Sequence, residues 1–280
     1  MSTERDIKFT AADFRRLRQM LYQRVGISLN DSKSHMAYSR LAKRLRHLGM
    51  RQFSDYLDLL DDVGDEAEWQ HFVNALTTNL TAFFREPHHF DLLRLHAMER
   101  AQQDRHYRVW SAAVSTGEEA YSIAMTLLAL PQLNSQRLEI VASDIDTKVL
   151  SQAADGVYDS ERIKPLDSKQ LKRFFLRGVG RNAGKVRIRK EVREQLAFYQ
   201  FNLVAPEWPD MGRFDVIFCR NVLIYFDKPT QAAILQRFAN CLQPDGLLFL
   251  GHSENIQHLS NDFQSCGRTA YRLVHPAVRS

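Results

Sequence analysis

The stretch Val109-Trp-Ser-Ala-Ala-Val-Ser-Thr-Gly-Glu-Glu119 decides the fold. Its first five residues read as a short buried strand. A turn of small residues around Gly117 follows, and then a helix whose apolar face runs through Tyr121–Leu130. Strand, tight turn and helix N-terminus in that order form the ligand-holding corner of an open α/β sheet, at the carboxyl ends of its strands. The turn is not G-x-G-x-x-G, because Gly117 is its only glycine. Glu118 and Glu119 put negative charge where a pyrophosphate needs exposed N–H donors, so a cationic, phosphate-free ligand suits the corner better. The plainer alternative is that two acids simply offset the helix dipole.

Downstream, strands and helices keep alternating. Strand candidates are 108–113, 139–143, 196–202, 215–219, 247–251 and 270–274, with amphipathic helices such as Thr230–Leu242 between them. Alternation of this kind implies crossover connections and a mostly parallel, Rossmann-like sheet covered by helices on both faces. The polar stretch between the last two strands reads as loop plus a short helix. One segment breaks the rhythm. In Phe174–Arg193, the glycines 178, 180 and 184 feed the alternating run Lys185-Val-Arg-Ile-Arg189, the pattern of an antiparallel hairpin inserted at about 174–193.

Upstream, the period is helical throughout. Thr10 to Asp13 can cap a helix carrying Phe14, Leu17, Met20 and Leu21, ending near Gly26. A second helix begins at Asp31-Ser32 and stops at Gly49, a third runs from Phe53 to Gly64, and a fourth carries Trp69, Phe72, Val73 and Leu76. The expected organisation is an all-helical domain over 1–82, a linking helix over 83–106 with Leu92 and Leu93 that ends near Gln103, and an α/β domain over 107–280.

Composition narrows the class further. The 280 residues are 44% hydrophobic and 25% charged, which suits a packed globular chain. No apolar run approaches the ~20 residues of a membrane span. The charged start MSTERDIKF lacks the apolar core of a secretion signal, so a cytoplasmic protein with no direct membrane insertion is expected. Three separated cysteines (219, 241 and 266) make neither a disulfide frame nor a zinc site. The net charge of +5 is local: between Lys33 and Leu48 there are five basic residues and no acidic one, and between Asp55 and Glu68 seven acidic residues and no basic one.

Candidate site residues gather at strand ends. Asp144 closes the second strand, where a carboxylate can grip a ribose diol, while Asp146 better fits a helix cap. The apolar strand Phe214–Cys219 ends in Arg220-Asn221 and then presents Tyr225. In Thr77–Glu86, polar Asn79, Thr81 and Arg85 alternate with apolar Leu80, Phe83 and Phe84, where the helical pattern gives way to alternation. His88 and His89 are adjacent, so on a helix they should not both face one ligand, and no metal is expected.

Together the strings TTNLTAFFRE (77–86), VWSAAVSTGEEAYSIA (109–124), ASDID (142–146), FDVIFCRNVLIYFD (214–227) and PDGLLFLGHSE (244–254) resemble the chemotaxis receptor methyltransferase (CheR) family over nearly the whole chain. The resemblance implies a class I S-adenosylmethionine-dependent methyltransferase fold with an all-α N-terminal domain and a small antiparallel β insertion. It implies methyl-ester formation on glutamates of methyl-accepting chemotaxis receptors, with S-adenosylhomocysteine as product. It implies cofactor contacts from Asn79, Thr81, Arg85, Glu119, Asp144, Asn202, Leu203, Arg220 and Asn221, and places Tyr225 and Arg85 beside the transferable methyl.

A receptor methylation helix is rich in Glu, so the basic residues Arg40, Lys43 and Arg44 of the second helix are the expected recognition face. A solvated basic surface is the alternative. The partner expected is the cytoplasmic helical region of chemoreceptors, and the insertion resembles the part of the family that can dock a receptor's C-terminal tail. Nucleic acid is not expected as substrate, because the strand end reads Arg-Asn-Val-Leu-Ile-Tyr rather than an Asn/Asp-Pro-Pro-Tyr loop.

Overall fold

A computed structural model describes residues 7–274 apart from 64, 102–104 and 134. Its contacts divide the chain into two units: residues up to Thr78 together with Tyr225–Asp227, and Asn79–Ile224 together with the chain from Lys228 onward.

The first unit is helical. Helix α1 (Ala11–Val25) opens on a reciprocal capping box between Thr10 and Asp13, and closes where Gly26 takes φ 72°. A 3-10 turn over Asp31–Lys33 precedes α2 (Ser34–His47), so that helix begins later than its polar start signal suggested. Helices α3 (Phe53–Val63) and α4 (Glu66–Leu76) follow, the latter capped by Asp65. Leu17, Leu21, Leu41, Leu45, Tyr56, Leu57 and Phe72 are buried, at the helical spacing that makes one apolar stripe per helix. The expected stop at Gly64 lies outside the described residues.

The second unit starts with α5 (His88–Arg100); the end expected near Gln103 is outside the described residues. Strands β1 (Tyr107–Ser111), β2 (Leu138–Asp144), β6 (Leu196–Gln200), β7 (Phe214–Cys219) and β8 (Leu242–Leu250) form a parallel sheet, extended by antiparallel β10 (Ala270–Leu273) and β9 (Phe263–Gly267) in the order β6-β2-β1-β7-β8-β10-β9. Helices α6 (Glu118–Leu128), α7 (Thr147–Asp155), α8 (Ser168–Phe174), α9 (Lys190–Arg193) and α10 (Lys228–Cys241) connect them. Burial explains the mixture: every residue of β7 is buried, whereas only the first residue of β9 is.

The fold class is as the sequence implied, with two differences in detail. The stretch expected to be loop plus a short helix contains β9, an edge strand whose polar Gln264 and Ser265 hid it from a hydrophobicity reading. The insertion has three strands, not two: β5 (Lys185–Ile188) pairs with both β4 (Phe175–Arg177) and β3 (Val157–Asp159). A three-residue strand is too short to show a period. Among the described residues, no helix is long and apolar enough to cross a membrane.

Candidate cofactor site at the strand ends

From β1 the chain crosses to β2 and β6 on one side, and β7 and β8 lie on the other, so the sheet order reverses between β1 and β7. A crevice opens at the carboxyl ends of strands where such a reversal occurs, and of the candidate residues Glu119, Asp144, Asn202, Leu203, Arg220 and Asn221 lie at or follow the ends of β1, β2, β6 and β7. Val114 N–H donates to Ser143 O at 2.9 Å, and Ala112 N–H to Phe218 O at 2.8 Å, fixing the turn after β1 to both neighbouring strands. Gly117, with φ 99°, allows the sharp entry into α6; a Cβ there would lie 2.8 Å from Tyr158 Oη and 2.9 Å from Ala153 Cβ.

Glu119 sits at the reversal itself. One carboxylate oxygen accepts from Ser111 Oγ at 2.7 Å, the other from Arg220 Nη1 at 3.2 Å. Burial raises its pKa, against the pull of the Arg220 charge. Arg220 is shared: Nη2 donates to Arg85 O at 2.6 Å and lies 3.4 Å from Glu86 Oε2, while its buried Nε has no hydrogen-bond partner. Burial also pushes Glu86 upward, but Arg220 and the backbone N–H of His252 hold it below the usual range.

Asp144, at the end of β2, accepts from Ser115 N–H at 2.8 Å and from Asp146 N–H at 3.0 Å. Burial nevertheless lifts its pKa to about 6. Asp146 caps α7 through Lys148 N–H and takes the Asn79 amide at 2.8 Å, so the division of labour expected for the two acids holds for the cap. Leu203 is buried and Asn202 half-buried just past β6, whose continuation is tied to Asp144 O by Phe201 N–H at 2.9 Å. Thr81 is half-buried, and Arg85 folds back to donate to Leu80 O at 3.0 Å.

Several residues at this edge are non-glycine yet left-handed: Phe84 (φ 51°), Glu86 (56°), Ser115 (52°) and Asn221 (60°). Such conformations cost about 1–3 kcal/mol each and concentrate where a site over-determines its backbone. For Asn221 the determinant is visible. Buried Glu254 accepts from Asn221 N–H at 2.8 Å, Gly251 N–H at 2.6 Å and Ile224 N–H at 3.3 Å, and a Cβ on Gly251 would overlap the Asn221 amide at 2.2 Å. Glu254 and Glu86 escaped the sequence reading. The available signal was an acid three residues past a strand-ending glycine, Gly-His-Ser-Glu254.

Two readings need correction. Glu118 and Glu119 do not present open charge to a ligand: Glu118 is fully buried and paired with Arg162, and Glu119 with Arg220. His88 and His89 do converge, donating to the same Arg268 carbonyl at 3.2 and 2.8 Å, because both rings lie in the first turn of α5 and reach toward the β9–β10 corner. With Glu86 their ligand atoms fall within 4.8 Å of one another. Positive charge at Glu86 already comes from Arg220, and burial keeps His89 neutral with a pKa of about 4.

The donor set fits S-adenosylmethionine. The buried, desolvated carboxylate of Asp144 at the end of β2 suits a ribose diol. Tyr225 belongs by its contacts to the first unit, where its carbonyl accepts from Ser28 N–H at 2.8 Å. The three candidate cations of α2 differ. Arg44 is bound to buried Glu68 (Nε–Oε1 3.0 Å), Arg40 donates to Thr77 O at 2.5 Å, and Lys43 is exposed.

Comparison with known proteins agrees with this architecture. A family model described as CheR methyltransferase, SAM binding domain, matches residues 79–272, and one described as CheR methyltransferase, all-alpha domain, matches residues 12–77. A chemotaxis protein methyltransferase of Escherichia coli is 52% identical over 271 residues, covering 97% of this chain and 93% of that protein. Chemotaxis protein methyltransferase 2 of Pseudomonas aeruginosa is 51% identical over 266 residues, covering 95% and 94%. A Vibrio cholerae chemotaxis protein methyltransferase 2 is 36% identical, covering 92% and 90%.

Proposed function

The chain belongs to the CheR methyltransferase family, and from that premise we propose that it methylates glutamate side chains of chemotaxis receptors. It is an S-adenosylmethionine-dependent methyltransferase; the glutamate, the receptor and the roles of single residues are the proposal. The observation that carries it is the dehydrated strand edge, where Asp144 and the Glu119–Arg220 pair are buried together at the reversal of the sheet.

S-adenosylmethionine, when bound, supplies a sulfonium-activated methyl. Asp144 would hold its ribose, and Asn79, Thr81, Arg85, Glu119, Asn202, Leu203, Arg220 and Asn221 would complete the contacts. A substrate glutamate, with a pKa of about 4.3, arrives ionised at neutral pH and needs no general base. Its charge is lost as the ester forms, so hydration of the carboxylate opposes transfer. The protein's task is to strip that water and hold the attacking oxygen in line. Tyr225 orients the carboxylate, and Arg85 helps anchor the methionine end. Too tight an Arg–carboxylate pair would stabilise the ground state and slow transfer.

Recognition rests on α2. Its three candidate cations differ in what they can offer, and Lys43, exposed, is the one best placed to meet an acidic helix, with Arg40 and Arg44 shaping the surface beside it. The insertion exposes Leu176 and Val179, apolar surface suited to a receptor tail.

Incubation with methyl-labelled cofactor and receptor-bearing membranes, followed by alkali, tests the reaction. Base-labile label on receptor is expected, and base-stable label would overturn ester formation. Tyr225→Phe should lower kcat on the order of 10- to 100-fold with cofactor affinity kept; unchanged turnover removes the residue from the mechanism.

A further inference from the structure

The small sheet β3-β5-β4 is more than an appendage, because its inner side is bonded to the turn that forms the cofactor corner. Tyr158, in the middle of β3 and buried, donates its hydroxyl to Thr116 O at 2.8 Å, and the same oxygen occupies the space beside Gly117. Four residues later, in the 3-10 turn Ser160–Ile163, Arg162 pairs with Glu118 Oε1. The other oxygen of Glu118 accepts from Thr116 Oγ1 at 2.6 Å. Thr116 and Glu118 are therefore bonded from β3 or the turn after it, and Gly117 between them lies against the Tyr158 hydroxyl. The loop carrying Asn79, Thr81 and Arg85 is held by the same sheet: the Phe83 ring packs edge-on against Tyr158 at 5.0 Å and against Phe175 of β4 at 5.6 Å.

None of this is required to close the main sheet, whose strands pair without the insertion. Glu118 is also an odd residue to bury for structure alone. Its carboxylate is fully covered, yet its cation comes from a side chain that is 44% exposed and anchored in the insertion. A buried carboxylate whose cation is supplied by another element is a joint whose geometry follows the element supplying the arginine.

We propose that Tyr158 and Arg162 are positioning residues through which the antiparallel insertion sets the cofactor turn, so that cofactor affinity depends on the insertion's arrangement. The proposal rests on the reading that residues 115–119 hold the cofactor. By linkage, cofactor binding must in turn steady the insertion.

Calorimetry with S-adenosylhomocysteine on full-length variants tests it. Arg162→Leu, Glu118→Gln and Tyr158→Phe should each raise Kd about tenfold, within the span known for residues that touch neither ligand. Arg162→Lys should recover part of the loss. The double variant Arg162→Leu/Glu118→Gln should be no worse than either single change, since both break one joint. Hydrogen exchange of amides 157–188 should slow on ligand addition in the parent and slow less in Arg162→Leu.

Kd values within twofold of the parent, with only the melting temperature reduced, would overturn the proposal and leave the contacts purely structural. Should Tyr158→Phe fail to fold, the Arg162 pair decides alone, since that side chain is partly exposed. Asp144→Ala serves as reference. If it too leaves Kd unchanged, the cofactor site itself is misplaced; if only it weakens binding, the insertion is uncoupled.

Discussion

Glu68 and Glu119 are both buried glutamates paired with an arginine, one in the helical unit and one at the strand edge, and they behave oppositely. Glu68 accepts from Arg44 Nε at 3.0 and 3.2 Å, from Arg44 Nη2 and from Tyr56 Oη at 2.8 Å. Burial pushes its pKa up, but these bonds outweigh it and hold the carboxyl below its ordinary value. Glu119 has one hydroxyl and a share of an arginine that also serves Glu86 and a carbonyl, and its pKa is raised. A buried ion pair with every lone pair satisfied joins helices. One whose cation is divided between two carboxylates holds charge at a cost, the pattern expected at the proposed cofactor site.

Arg220→Met should produce the largest effect, since it strands Glu119 and Glu86 without their shared cation. A loss of about 3–5 kcal/mol in denaturant unfolding is expected, together with loss of cofactor binding. A variant that kept full stability would remove the contrast altogether. Next in size is Asp144→Asn, which should weaken cofactor binding on the order of 10- to 100-fold, one good charged hydrogen-bonding site being worth about 1.5–3 kcal/mol.

Its pH dependence sharpens the same point. Only the ionised Asp144 can accept from both hydroxyls of a diol, and its pKa is about 6, so parent affinity should fall as pH drops below 6 while the Asn variant shows no such fall. Stability runs the other way for this group. A raised folded pKa favours the protonated native state, so that contribution is present at low pH and is lost as pH rises through about 6. Glu68, with a lowered folded pKa, contributes stability above its unfolded value and loses it on acidification.

Glu68→Gln should cost about 1–3 kcal/mol by leaving Arg44 poorly matched, with cofactor Kd within twofold of the parent. A change in Kd would show that the helical pair is not merely a joint. Smallest is Lys43→Ala, expected to raise receptor KM roughly threefold at low salt and less at high salt, as for an exposed charge. Arg44→Ala should instead lower the melting temperature.

The helices of the first unit and the buried parallel strands were legible because a local period reports them: Leu17 and Leu21 on one stripe, and the unbroken apolar run of β7. So were Gly117 and the cap at Asp146, which depend on neighbours a few residues away. The strands β3 and β9 were not, being too short or too polar to carry a period. Nor was the fate of charges. Glu118 and Glu119 look equivalent in the chain, and only packing gives one to Arg162 and the other to Arg220.

The sequence by itself determined the alternation of elements, the turns and the residue types available at each strand end, because those follow from steric preference and hydrophobic period along the chain. Tertiary structure alone decided which cation meets which acid, which carboxylate loses its water, and which backbone residues are driven left-handed. These depend on groups brought together from more than a hundred positions apart, as Arg220 is to Glu119, and electrostatic energy in a dry crevice is set by that distance and burial rather than by order in the chain.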